Sequence, residues 1–277
     1  SASLVGSEMC IRDRNSYPTT IGAYSETFFG GGIDVAITKF TADGTALIYS
    51  TYIGGNDDET PNSIVVNGDG ELAVFGVTSS LNFPTTTGAF SQTFSGGTFL
   101  TFTGNGTTFN NGTDMYVAKF TADGSALIGA TYVGGSSNDG VNDVASLFFN
   151  YGDQFRGEVI TDADGNIYVA SSTQSGDFPT TAGAASTTLS GQQDAVVFRL
   201  NPDLSNMDWC TFLGGSGNDA AYALKRDNAG TIYAAGGTTS SDFPSTSGAI
   251  NAAYQGGISD GYVANISSDG SSIIQST

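Results

Sequence analysis

Short apolar segments recur along the whole chain, separated by turns rich in Gly, Asp and Asn. Four kinds of segment follow one another in each repeat, and all are rich in Val, Ile, Tyr and Phe, as β-strands are. The Asp-Gly and Asn-Gly pairs between them readily adopt the positive φ that tight hairpins need. The pattern therefore predicts a four-stranded antiparallel meander in each repeat. One set of predicted strands covers 63–67, 72–77, 114–120 and 126–133.

Many of these segments are apolar at nearly every position, as in LAVF at 72–75 and VAI at 35–37. A sheet with one face in water would alternate apolar and polar residues, so continuous apolar segments indicate sheets that are covered on both faces. Four-stranded sheets stacked face to face around an axis form a β-propeller. The predicted fold is therefore all-β, a β-propeller. A flat β-solenoid is a weaker alternative because it needs much shorter repeats.

Two sequence markers give the length of the repeat. Aromatic-Pro-Ser/Thr-Thr motifs lie 66, 95 and 65 residues apart, and aromatic-aliphatic-Gly-Gly motifs lie 80 residues apart. The basic unit is therefore about 65 residues, with two insertions of about 15 residues, one between Gly97 and Asp114 and one between Asp139 and Thr161. The first marker begins at Tyr17, Phe83, Phe178 and Phe243, and the second at Tyr52, Tyr132 and Phe212.

These markers divide the chain into a tail and β-propeller repeats over 15–277. Residues 1–14 carry no marker, and two interpretations stay open: a sequencing or assembly artefact, or a genuine tail. The predicted units are a half blade at 15–61 and blades at 62–139, 140–219 and 220–277. With only the third and fourth strands in the first unit, about three and a half blades are expected. The chain is then an open arc of a larger ring, and the remaining blades of the full-length protein are its expected partners. The repeat pattern predicts an aromatic residue and Gly-Gly as the next marker after Thr277.

Composition excludes several functions. Lys and Arg number 8 and Asp and Glu 27, and the net charge of −19 repels a phosphate backbone, so no nucleic-acid partner is expected. Histidine is absent, which removes His-based triads and His metal ligands. No apolar run of about 18 residues predicts a membrane span, and no secretory signal is recognisable. Cys10 and Cys210 are too few for a zinc site or a disulfide framework, and Cys210 is expected to be a small buried apolar residue.

The repeat resembles a known bacterial family. The strings DMYVAKFTADGSAL (114–127), TYVGGSSND (131–139), DADGNIYVA (162–170) and FPTT (178–181) closely resemble the SBBP β-propeller repeat, and the resemblance covers residues from about 15 to 277. It implies propeller blades of extracellular or cell-surface bacterial proteins, and no catalytic residue. The sequence departs from the family pattern in the two insertions, at Cys210, and at 201–204, where Asn-Pro-Asp-Leu replaces Asp-Gly.

Calcium is the one cofactor that the sequence suggests. Asp162 and Asp164 precede a Gly, as the acids of a calcium loop do, but the downstream bidentate Glu of that loop is missing. The same pattern fits a hairpin turn, and the turn is the favoured interpretation. Acid clusters also follow the Gly-Gly motifs, as at 56–59, and two interpretations apply to them. Their side chains either bind calcium or cap the loop by hydrogen bonds to backbone N–H groups.

The insertions hold the candidate ligand-binding residues because they are the least repetitive parts of the chain. Long loops on a rigid scaffold often carry recognition, whereas a local flap over a blade edge is an equal alternative. If the first insertion is a surface loop, its deletion leaves the blade folded. The candidate aromatic residues are Phe99, Phe102, Phe109, Phe148, Phe149 and Tyr151.

The expected function is a non-catalytic, secreted or cell-surface module that binds glycan or protein as an adhesion scaffold. A propeller-type polysaccharide hydrolase or lyase is the first alternative, and it needs a convergent acid/base pair in a pocket. A purely structural spacer in a large adhesin is the second.

Overall fold

The computed structural model describes residues 7–13, 17–102, 106–149 and 152–277. Within these residues the chain is all-β, without an α-helix; a single 3-10 turn, η1, covers Asp153–Phe155. The strands are β1 (Ser7–Asp13), β2 (Asp34–Phe40), β3 (Leu47–Ile53), β4 (Glu59–Val66), β5 (Leu72–Thr78), β6 (Leu100–Phe102), β7 (Thr107–Phe109), β8 (Asp114–Phe120), β9 (Leu127–Val133), β10 (Glu158–Thr161), β11 (Ile167–Thr173), β12 (Asp194–Leu200), β13 (Met207–Leu213), β14 (Asp219–Arg226), β15 (Ile232–Thr238), β16 (Asp260–Ile266) and β17 (Ile273–Ser276).

The strands form consecutive antiparallel sheets. Sheet I has the order β1-β2-β3, sheet II β4-β5-β8-β9, sheet III β10-β11-β12-β13 and sheet IV β14-β15-β16-β17. Strands β6 and β7 form a separate hairpin within the first insertion. The predicted meander of four strands per repeat is therefore confirmed in sheets II, III and IV.

The core lies between successive sheets. Ile37 of sheet I packs in one cluster with Phe120 of sheet II. On the opposite face of sheet II, Val117 packs in a cluster with Phe198 of sheet III. The other face of sheet III packs against sheet IV, where Ile232 lies in a third cluster. Because sheets II and III are covered on both faces, consecutive residues of a strand are buried, which explains the continuous apolar segments.

Strand β1 corrects the expected strand count. The first unit has three strands, not two, because residues 7–13 pair with β2 over its whole length, from Ser7 opposite Phe40 to Asp13 opposite Asp34. The edge of β2 carries unpaired backbone N–H and C=O groups, and any extended segment alongside can satisfy them. This segment thus occupies, beside β2, the place that β5 occupies beside β8. The origin of residues 1–14 stays a prediction.

Candidate functional site

A cavity of about 420 Å³ lies between the second insertion and sheet IV. Its wall combines an exposed aromatic ring with a charged pair. Phe149 is 74% exposed, whereas the neighbouring Leu147 is buried. The remaining lining includes Asp153, Arg156, Tyr222 and the backbone around Gly237 and Asp260.

Hydrogen bonds hold the second insertion against sheet IV. The Tyr222 hydroxyl donates to the Leu147 carbonyl oxygen. The amide Nδ2 of Asn142 donates to the same oxygen at 3.1 Å, and Gln193 donates to the side-chain oxygen of Asn142 at 3.0 Å. The backbone N–H of Phe149 donates to the Asp153 carboxylate at 2.9 Å. The exposed ring therefore stands on a fixed backbone.

Arg156 and Asp153 form an ion pair in the wall of the cavity. Arg156 Nε lies 3.0 Å from Asp153 Oδ1, and the Arg156 guanidinium lies 5.7 Å from the centre of the Tyr222 ring. Burial raises the pKa of Tyr222 to about 12, so its phenol is neutral at pH 7. The Arg156 side chain is half exposed, which leaves N–H donors of its guanidinium facing water. An apolar ring beside free N–H donors can bind a ligand that has one apolar face and hydrogen-bonding groups at its edge.

Two aromatic residues of the first insertion fit the flap alternative rather than ligand binding. Phe102 and Phe109 are buried and pack with Val77 and Val141. The Phe102 ring centre lies 4.9 Å from that of Phe155, so the two insertions share a small core. These two rings are therefore packing residues, not ligand-facing ones, because the segment folds into the β6–β7 hairpin over the end of sheet II.

The other candidate aromatics divide by exposure. Phe99 is 60% exposed, and Phe148 is partly buried. Tyr151 lies outside the described residues. Phe149 lines the cavity between the second insertion and sheet IV.

Asp162 and Asp164 lie in the hairpin turn between β10 and β11. Asp162 Oδ1 accepts the N–H groups of Asp164 and Asn166, each at 3.0 Å, and Oδ2 accepts the Tyr168 hydroxyl at 2.9 Å. Partial burial opposes ionisation of Asp162, but bonds from Asn166 and Tyr168 outweigh it and lower its pKa. The Asp164 side chain is exposed. Among the described residues, no three Asp, Glu, Cys or His side chains cluster as metal ligands would, and calcium binding stays a prediction.

Sequence reasoning missed three pairs of buried acids at the sheet junctions. In each pair, one acid begins the next-to-last strand of a sheet, which is β2, β8 or β12. The other acid lies 25 residues further along: Glu59 begins β4, Asp219 begins β14, and Asp139 lies in an isolated bridge opposite Thr173. A Cβ added to Gly134 would lie 2.5 Å from Asp114 Oδ1 and 2.9 Å from Asp139 Oδ2. The first glycine of each Gly-Gly motif is therefore required by the two carboxyl groups on either side of it. The pairs are Asp34 with Glu59, Asp114 with Asp139, and Asp194 with Asp219.

Each of these acids binds its proton more tightly than a free carboxyl group does. Burial raises the pKa of Asp114 to about 7 and the pKa values of Asp34 and Asp194 to about 6. Burial likewise raises the pKa values of Glu59 and Asp139 well above the usual range. The second acid of each pair also accepts the N–H of the second glycine of the motif, as Asp139 does from Gly135 at 2.7 Å. The sequence signal for these pairs is an Asp at the start of β2, β8, β12 and β16, the next-to-last strand of each sheet.

Comparison with known proteins identifies no family. No protein-family model and no curated protein matches this chain. A solved protein of unknown function from Dyadobacter fermentans is similar at 14% identity and a TM-score of 0.46, over 99% of this chain and 65% of that protein. Another of unknown function, from Bacteroides caccae, is similar at 10% identity and a TM-score of 0.18, over 89% of this chain and 90% of that protein. The chain thus spans less than two thirds of the Dyadobacter protein.

Proposed function

We propose that this protein is a non-catalytic propeller-type scaffold that binds a glycan through the cavity beside Phe149. The observation that carries the proposal is the exposed Phe149 ring on a backbone fixed by hydrogen bonds, next to the half-exposed Arg156. Sugars have apolar C–H faces that stack on aromatic rings and hydroxyl groups that accept N–H donors. A binding function fits such a surface better than a spacer function does.

The stacking of the sheets supports the propeller arrangement. The first strands of successive sheets touch, β4 with β10 and β10 with β14. In a propeller the first strand of each blade lies nearest the axis, so these contacts are the expected ones. We also propose a secreted or cell-surface location, and the resemblance to the SBBP repeat is its only support. In the described residues, no helix is long and apolar enough to cross a membrane.

The carboxyl groups at the cavity support binding rather than hydrolysis. Asp153 accepts the Phe149 N–H and pairs with Arg156. Asp260 accepts the N–H of Gln255. A glycosidase needs one carboxyl group free to donate a proton and a second free to act as base or nucleophile. Carboxylates already used to fix loops are poorly suited to both roles.

A glycan array tests this function. The wild-type chain and the Phe149→Ala variant are compared on immobilised oligosaccharides, with Phe99→Ala as the matched control because that ring is also exposed but lies on the other insertion. Signals of the wild type should persist in Phe99→Ala and fall at least tenfold in Phe149→Ala, with an unchanged melting temperature. Absence of any wild-type signal would favour a spacer, and release of reducing sugar would favour a hydrolase; either result overturns the proposal.

A further inference from the structure

Lys119 places a buried amine near the end of β8. Its side chain is only 7% exposed, and its Nζ lies 2.7 Å from Oε2 of Glu71. The same amine donates to the Pro202 carbonyl oxygen at 3.3 Å. Because a buried charge is costly unless it is paired and hydrogen-bonded, these two contacts fix the position of the amine.

The side-chain amide of Asn67 binds the same carboxylate oxygen. Asn67 follows β4 directly, and its Nδ2 donates to Glu71 Oε2 at 2.8 Å. The amine nitrogen of Lys119 and the amide nitrogen of Asn67 are therefore neighbours, held by one oxygen atom. In the sheet, β5 lies between the strands that carry these two residues.

The carbonyl oxygen of the Asn67 side chain is held by two backbone N–H groups. Oδ1 accepts the N–H of Asp69 at 3.0 Å and the N–H of Glu71 at 2.9 Å. Two such donors polarise the C=O bond and stabilise the negative charge that the oxygen gains when a nucleophile attacks the carbon. The Cγ atom of Asn67 is thus an activated electrophile close to an amine.

The corresponding positions of sheets III and IV hold different groups. An arginine stays protonated and an amide nitrogen is a poor nucleophile, so of these three sheets only sheet II joins an amine, an amide and a carboxylate. The corresponding residues are Asp162, Asn166 and Arg199 in sheet III, and Asp227, Thr231 and Asn265 in sheet IV.

We propose that Lys119 and Asn67 form an intramolecular isopeptide bond with Glu71 as the proton carrier. Glu71 accepts a proton from the Lys119 ammonium group, and the freed lone pair of Nζ forms a C–N bond to Cγ of Asn67. The π electrons of the C=O bond move to Oδ1 and return when the Cγ–Nδ2 bond breaks. Glu71 gives its proton to Nδ2, which leaves as ammonia, and then takes a second proton from Nζ. Ammonia accepts that proton, so the products are a secondary amide and an ammonium ion, and nothing is oxidised or reduced.

The Glu71 carboxylate is suited to carry these protons. The hydrogen bond from Lys119 lowers the pKa of Glu71, so the group is ionised at pH 7 and can accept a proton. Its Oε2 atom contacts both the attacking nitrogen and the leaving nitrogen. The bond that results joins the end of β4 to β8 across β5 and closes the loop 67–119 covalently.

Trypsin digestion of the unfolded chain tests the bond, because an acylated lysine is not cleaved. The cross-linked chain should give an uncut peptide 40–156 that is lighter than its sequence by one ammonia molecule. Cleavage after Lys39, which holds the corresponding position in β2, is the internal control. Recovery of 40–119 and 120–156 as the main products of the wild-type chain would overturn the proposal.

A protease that cuts after glutamate identifies the partner of Lys119. It releases 60–71, which contains Asn67, and 72–158, which contains Lys119, and these two peptides should stay joined. Loss of water instead of ammonia would place the bond on Glu71. Loss of ammonia without joined peptides would indicate a succinimide at Asn67, formed with the N–H of Gly68. Either result overturns the proposal.

Two conservative variants separate the bond from the ion pair. Lys119→Arg keeps the cation but cannot be acylated, and Glu71→Gln keeps a hydrogen-bonding oxygen but cannot carry protons. Both variants should fold, and both should melt about 10 °C below the wild type, because they lack the closed loop. Glu71→Gln should also release 40–119 with trypsin. A Glu71→Gln chain that is still cross-linked would overturn the part assigned to the carboxylate.

Discussion

The side chain of Leu204 lies directly over Gly129 at the junction of sheets II and III. A Cβ added to Gly129 would be 3.2 Å from Leu204 Cγ. Leu204 is the one non-glycine residue with a positive φ, 60°, in the described part of the chain, and it is fully buried. At the other two junctions an aromatic ring lies against a turn glycine: Tyr49 against Gly124, and Trp209 against Gly270. At the junction of sheets II and III the large residue therefore lies in the turn and the glycine in the strand, the reverse of the other two junctions.

Leu204→Gly should destabilise the protein by about 2 kcal/mol. The loss of a buried leucine costs about 2–5 kcal/mol, and relief of the left-handed backbone returns about 1–2 kcal/mol. Gly129→Tyr alone should be strongly destabilising, because its Cβ would lie 2.6 Å from the Asp203 carbonyl oxygen and its ring would meet Leu204. The double variant should be more stable than the two separate effects predict, with a coupling energy above about 1 kcal/mol in urea unfolding. Additive effects would contradict a direct packing contact between the two positions.

The two acids of the β10–β11 turn should behave differently. Asp162→Ala should lower the free energy of unfolding by about 1–2 kcal/mol, because the N–H groups of Asp164 and Asn166 and the Tyr168 hydroxyl lose their acceptor. Asp164→Ala should change it by less than about 0.5 kcal/mol, since that side chain is exposed. Urea unfolding with and without 5 mM calcium measures both. A calcium-dependent rise in stability that either substitution abolishes would show a metal site instead of a turn.

Phe109→Ala should cost about 3 kcal/mol, because the ring is fully buried between Phe102 and Phe155. Phe99→Ala, on the same insertion but 60% exposed, should change the free energy of unfolding by less than about 0.5 kcal/mol. For the same reason, deletion of 98–113 should destabilise the protein rather than leave the stability of sheet II unchanged. Thermal unfolding of the three variants provides the comparison. An unchanged stability of Phe109→Ala would indicate that the insertion is a surface loop that contributes no packing.

The strands were predictable because their cause is local. Apolar β-branched and aromatic residues between Asp-Gly turns predict a strand at 114–120, and β8 has these bounds in the structure. Burial on both faces followed from segments such as 72–75, which lack alternation. The hairpin turn at Asp162 was likewise predictable, because an Asp side chain bonds backbone N–H groups two and four residues ahead.

The features that the sequence pattern did not predict depend on contacts between residues far apart in the chain. Phe102 is buried by Phe155, which belongs to the other insertion, so its Thr-, Gly- and Asn-rich surroundings gave no sign of packing. Strand β1 carries no repeat marker, and the open edge of β2 determines where it lies. The acid pairs join residues 25 positions apart along the chain, such as Asp114 and Asp139. Each acid alone is indistinguishable from a turn residue.

The protein should be more stable at pH 5 than at pH 8. Burial raises the pKa of Asp114 to about 7 and that of Asp34 to about 6, so these carboxyl groups bind protons more tightly when folded. Their contribution is complete below the pKa of an unfolded Asp, about 4, and is lost as the pH rises through 6 to 7. Hydroxyl donors act in the opposite direction on turn acids, and Thr121 lowers the pKa of Asp123 to about 2. Turn acids with lowered pKa values reduce the free energy of unfolding only below about pH 4. The free energy of unfolding should therefore be highest near pH 4 to 5.

Urea unfolding at constant ionic strength from pH 4 to pH 8 measures this profile. We expect the free energy of unfolding to fall by about 3 kcal/mol between pH 5 and pH 8, because Asp34, Asp114 and Asp194 have pKa values of about 6 to 7. Asp114→Asn should flatten the fall, since the Asp114 pKa of about 7 lies in this range and an amide stays neutral. Asp123→Asn is the matched control: it removes an exposed acid whose pKa lies far below this range, so the slope should not change. A stability that is constant or rises from pH 5 to pH 8 would mean that the buried pairs are ionised in the folded protein, with a counter-charge supplied from elsewhere.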